Sequence, residues 1–212
     1  MTEQGNRPDD RQIGMSNRQS IVLLLLLFLA PMLIAWLMLY SGSGLIPEGS
    51  TSHGTLVEPP RLIDLPENIR TRADLALPPE YIMGKWTLVY MGDAQCDETC
   101  QQNFYKMRQV RMAQNENIRR VQRLFLLTGT ETPEVLAGIL EKDQGMDVAM
   151  LTPEQTAAIA PLFEVSGVAA QGAERVFLVD PLGYLMMYYA PDAEPKGMLN
   201  DLKKLLKYSR FG

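Results

Sequence analysis

Twenty consecutive residues, Ile21 to Tyr40 (IVLLLLLFLAPMLIAWLMLY), contain no charge, and 19 of them are apolar, with Pro31 the exception. As a helix rising about 1.5 Å per residue, this run matches a hydrocarbon core of about 30 Å. It has no polar face, so a helix buried in a soluble core does not fit it, and a transmembrane helix over 21–40 is expected. Pro31 falls mid-span, where membrane helices tolerate it, and Trp36 and Tyr40 lie at the far end like an interfacial aromatic anchor. Arg7, Arg11 and Arg18 precede the run, whereas no Lys or Arg follows it before Arg61. The positive-inside rule therefore predicts a cytoplasmic segment over 1–20 and an external remainder. The run is longer than the apolar part of a cleaved signal, no A-x-A-like site follows, and no cysteine ends it as in a lipoprotein. The expectation is a bacterial inner-membrane protein with one uncleaved anchor and a periplasmic domain.

The net charge of −5, with no dominant Lys/Arg tract, argues against nucleic-acid binding. Residues 41–80 are rich in breakers, including Gly42, Gly44, Gly49, Pro59, Pro60, Pro78 and Pro79. They predict a periplasmic linker with a free tether over 41–53, then an extended segment, Gly54 to Leu65, docked on the domain edge. Residues 81–212 alternate strand and helix patterns. Strands are expected at Trp86–Met91, Val121–Thr128, Val148–Leu151, Val176–Val179 and Tyr184–Tyr189. Helices are expected at Gln101–Gln114, Pro133–Lys142, Pro153–Phe163 and Lys196–Lys207. A parallel crossover first and a hairpin last predict an α/β, thioredoxin-like mixed sheet with flanking helices. A flavodoxin-like sheet is the alternative, against which the final hairpin counts.

The only cysteines, Cys96 and Cys100, fall in the loop after the first strand of that domain, and sites in open α/β sheets gather beyond the carboxyl ends of strands. Spacing i, i+4 puts both sulfurs on one face of a helix's first turn, where a disulfide is feasible and thiolates are favoured. Such a pair can cycle between dithiol and disulfide, hold a soft metal such as Cu(I), or form a purely structural bridge. The last closes a loop too short to stabilise much.

The phrase from Gly84 to Gly92 (GKWTLVYMG), the C-x-x-x-C pair, the following helix, the later VFLVDPLG and a tyrosine-bearing strand together resemble the Sco/SenC family over residues 80–208. That resemblance implies a membrane-anchored thioredoxin-like protein acting in cytochrome c oxidase assembly. Its partner would be the copper-bearing oxidase subunit or another assembly factor. Cys96 and Cys100 would be the working residues, either binding Cu(I) or reducing the cysteines that receive it. The sequence departs from the family pattern at the site. The family's copper-ligating histidine before the distal strand has no counterpart in Ala170 to Arg175, and Asp97 and Gln101 replace the prolines that follow each cysteine. Nor does a proline stand immediately before Val176, where thioredoxins place a cis-proline. The sole histidine, His53, reads as a solvated tether residue. A third copper ligand would come from Met91, Met186, Met187, His53 or the partner. Arg108, Arg111, Arg119, Arg120 and Arg123 read as a solvated basic face, with a docking patch for an acidic partner as the alternative. A general periplasmic thiol-disulfide oxidoreductase and a non-catalytic assembly scaffold are the competing functions.

Overall fold

The computed structural model describes residues 17–40 and 52–209, which fall in two separate compact units. The expected segment 1–20 and the tether 41–53 therefore lie largely outside the described residues. The first unit contributes one helix, α1 (Asn17–Tyr40), with Pro31 inside it and the Trp36 and Tyr40 rings stacked 5.1 Å apart. Its length and composition suffice to cross a membrane. Every side chain described from Ile21 to Leu29 is exposed, as an apolar surface without a protein partner must be.

The second unit is built on one seven-stranded mixed sheet. Its strands are β1 (Thr55–Leu62), β2 (Arg70–Thr71), β3 (Trp86–Gly92), β4 (Val121–Thr128), β5 (Asp147–Leu151), β6 (Val176–Val179) and β7 (Tyr184–Tyr189), in spatial order β1-β7-β6-β3-β4-β5-β2. β3, β4 and β5 run parallel, while β6 is antiparallel to β3 and to β7. The helices are α2 (Glu98–Met112), α3 (Glu134–Lys142), α4 (Pro153–Ile159) and α5 (Pro195–Tyr208). The mixed sheet with helices on both faces is the thioredoxin-like architecture that the sequence predicts.

β3 is buried at all seven positions, and its residues alternate between two cores. Trp86, Leu88 and Tyr90 face a core closed by α2, α3 and α5 through Phe104, Met107, Leu136, Met198 and Leu202. Val89 and Met91 face the other core, closed by Ile159 of α4 and by Ile63, Leu65, Ile69, Leu77 and Ile82. The breaker-rich stretch after Gly54 thus does more than dock at an edge. β1 extends the sheet beside β7, β2 caps the opposite edge on β5, and the connecting residues wall one face. Burying Ile63, Leu65, Ile69 and Leu77 without a helix is possible because prolines confine the backbone to extended conformations before it folds, and Ile82 follows in a short 3-10 turn, Pro79–Ile82.

Two readings from the sequence are corrected. His53 keeps a side chain 53% exposed but is not part of a free tether, because its amide donates to Asp201 Oδ2 (2.7 Å) and its Nδ1 lies 3.1 Å from Asp201 Oδ1. The arginines do not form one basic face. Arg123 is 1% exposed and grips both oxygens of Asp143 at 2.8 Å, Arg111 donates to the Val121 carbonyl, and Arg120 donates to the carbonyls of Leu206 and Ser209. Periodicity registers the spacing of such side chains but not that a guanidinium bridges to backbone oxygen elsewhere.

Candidate functional site

β3 leaves the sheet at Gly92, and the next eight residues carry both cysteines. A Cβ at Gly92 would lie 2.9 Å from the Tyr90 ring, so only glycine lets the chain turn past that ring. Gly92's carbonyl accepts from Thr128 Oγ1 at the end of β4 (3.2 Å), and Asp93 Oδ1 accepts from the Gln95 amide (2.9 Å). Asp97 is the N-cap of α2, its Oδ1 accepting from the Cys100 amide at 2.9 Å, which satisfies a donor that the first turn leaves free. Cys100 is thereby fixed in the first turn. Cys96 stands outside the helix, one residue before the cap, with φ +34°. The expectation that both cysteines share the helix face is corrected accordingly. What brings them together is the turn at Cys96, held by Gln101 Nε2 donating to the Cys96 carbonyl (3.2 Å). Cα atoms 5.1 Å apart lie within disulfide range, and Cys96 and Cys100 are bonded to each other.

Asp97 and Gln101 occupy the positions where the resemblance expects prolines. Each makes a hydrogen bond that proline cannot, one side chain tying the loop to the helix and the other tying the helix back to the loop. The geometric consequence of these substitutions is partly visible in the sequence, where Asp before a helical run is a recognisable cap.

The disulfide forms the floor of a cleft of about 210 Å³, with both cysteines buried at 4% and 3% exposure. Tyr90, Phe104 and Phe125 pack edge-on behind it. Asp93, Gln95 and Asp97 stand on one side of the mouth, and Gln171, Gly172 and Glu174 on the other. Glu174 lies in the left-handed region at φ +51°, its carbonyl fixed by Asn103 Nδ2 of α2 at 2.8 Å. The strand β6 follows Arg175, not a proline, and the cis peptide bond among the described residues is Glu58–Pro59 in β1. Burial raises the Tyr90 hydroxyl well above the ordinary tyrosine value, and the charges of Glu174, Asp97 and Asp93 raise it further.

The proposed third copper ligands do not converge on the cysteines. Met91 borders the cleft, but its side chain belongs to the core on the opposite sheet face. Met187 accepts from Tyr189 Oη (3.1 Å) beside Gly54, and neither it nor Met186 lines the cleft. His53 is engaged with Asp201 at α5. Among the described residues, no group of three His, Cys, Asp or Glu side chains is placed to hold a metal ion. Cu(I) carried as cargo would find two soft donors in Cys96 and Cys100 once these are reduced.

Residues 86–209 match the family model described as transmembrane-like, thioredoxin-like, C-terminal domain. The chain belongs to that family. No curated protein matches it. Among solved structures it is similar to the copper-bound ScoI of Bradyrhizobium japonicum, at 18% identity and TM-score 0.55, covering 67% of this chain and 98% of that one. The apo Sco1 protein of Thermus thermophilus is 18% identical, with TM-score 0.56 and coverage of 74% and 99%. The thioredoxin domain of a thiol-disulfide oxidoreductase from Bacteroides vulgatus is 15% identical, with TM-score 0.51 and coverage of 68% and 96%. At these identities the likeness is one of fold. The resemblance to Sco proteins read from the sequence is met at that level, and in this chain the C-x-x-x-C loop lies at the carboxyl end of β3.

Proposed function

We propose that this chain is a membrane-anchored thiol-disulfide protein of the bacterial periplasm that serves cytochrome c oxidase assembly by reducing the cysteines of the copper-bearing subunit. The observation that carries the reading is the Cys96–Cys100 bridge on the floor of an open cleft at the end of β3, opposite a wall, Gln171 to Glu174, that offers no imidazole. In the reaction, one thiolate of the reduced pair attacks a partner disulfide and forms a mixed disulfide, expelling the other partner sulfur as thiolate. The second cysteine then displaces the first partner sulfur, leaving Cys96–Cys100 oxidised and the partner carrying two thiols. Two electrons and two protons pass to the partner. Gln101 and Asp97 hold the two sulfurs near each other throughout, which favours the resolving step.

Delivery of Cu(I) is the second reading, favoured by the copper bound in a protein of the same fold. The two separate in a cell whose only copy is Cys96→Ser, Cys100→Ser. Loss of the oxidase copper centre that a membrane-permeant dithiol restores supports reduction. Loss that only added copper restores supports delivery. Normal copper insertion contradicts both and leaves a scaffold.

A further inference from the structure

The cleft mouth carries three carboxylates, Asp93, Asp97 and Glu174, and no Lys, Arg or His lines it. None of the three makes an ion pair among the described residues. Asp93 and Asp97 each engage only one oxygen, in the turn and the cap respectively. Arg175, next to Glu174, and Lys106 of α2 are both engaged elsewhere. The Arg175 guanidinium lies 4.6 Å over the Tyr188 ring and donates to the Val165 carbonyl, and Lys106 donates to the Pro191 carbonyl. All three carboxylates line the same cleft, together with Tyr90. That space is also the route to the two sulfurs, which are otherwise buried.

Like charges gathered without counterions repel one another and gain most from a cation supplied from outside. We infer that the cleft selects a polypeptide partner whose cysteine pair is flanked by lysine or arginine. This rests on the exchange reading above and adds the charge class of the substrate. The cationic flank pairs with Asp93 and Glu174 across the mouth while a partner sulfur reaches Cys96–Cys100. The chemistry is the balanced exchange already written, in which the chain's dithiol becomes a disulfide and the peptide's disulfide becomes a dithiol.

The test uses the full chain in a non-ionic detergent, reduced and freed of reductant, mixed with three synthetic peptides that carry the same intramolecular disulfide flanked by Lys, Ser or Glu. Single-turnover oxidation of the chain is followed at neutral pH. The Lys peptide is expected to react at least about tenfold faster than the Glu peptide at low ionic strength, within the range that electrostatic steering supplies. That ratio should fall to about twofold at 0.5 M salt. In Asp93→Asn, Glu174→Gln the low-salt ratio should drop at least about threefold, because both variants keep their hydrogen-bond acceptors but lose the charge. Equal rates for the Lys and Glu peptides, a preference that salt does not weaken, or a ratio the double variant leaves unchanged would overturn the inference while exchange itself stands. No reaction with any peptide would overturn both.

Discussion

Arg123 is the largest fully buried side chain in the domain, and its charge is tolerated only because both Asp143 oxygens and the Gln144 carbonyl receive it. Removing one partner leaves an uncompensated charge, so Asp143→Ala should cost about 3–5 kcal/mol in urea unfolding, whereas Arg123→Met with Asp143→Leu should recover most of that. Asp201 plays the corresponding part at α5, where its buried carboxylate accepts from the amides of His53 and Gly54. Asp201→Ala leaves those donors unpaired and should cost about 2–3 kcal/mol, against less than about 1 for His53→Ala, which keeps both amide bonds. The approach is close enough that a Cβ at Gly197 would sit 2.8 Å from His53. Neither device was legible in the sequence. The arginine spacing looked like a solvated face and His53 like a tether residue, because their partners lie 20 and 148 positions away. The cysteines were legible, since their chemistry and their place after a strand pattern are local properties.

At the scale of elements, β4, β6 and β7 begin and end where hydrophobic patterning puts them, and β3 runs one residue further. The helices differ more at their ends. α2 starts at Glu98, three residues before the expected start at Gln101, because Asp97 caps it. The patterned stretch from Pro153 to Phe163 divides into α4 and a tighter 3-10 turn at Ala160 to Phe163, where Pro161 cannot donate. Capping ties this scale to the site. Asp97→Ala should destabilise the domain by about 1 kcal/mol and Asp97→Asn by much less. Because the same bond fixes Cys100, the alanine variant should also change the Cys96–Cys100 reduction potential while the asparagine variant restores it. A stability loss with no change of potential in the alanine variant would mean that the cap holds the helix alone.

Across the whole molecule, what patterning could not supply was the contribution of 54–82, since extended, proline-rich chain has no period to read yet closes one core and forms both sheet edges. The assembled cores set the response to pH. Burial is the main cause that raises Tyr90 and Tyr189 above the ordinary value near 10, with Asp201 adding to it at Tyr189. The folded protein therefore holds these protons where the unfolded chain releases them. Stability is expected to be fully present below about pH 10 and to decline above it by up to about 1.4 kcal/mol per pH unit for each tyrosine. Urea midpoints of the wild type and of Tyr90→Phe, Tyr189→Phe across that range check this, and the variant should decline less steeply. The proposed exchange requires Cys96 and Cys100 to be a working couple held in an open cleft. The direct measurement is their reduction potential in the full chain, by equilibration against glutathione and dithiothreitol. A value above about −300 mV is predicted, and one below it would identify the bridge as structural and contradict the proposed exchange.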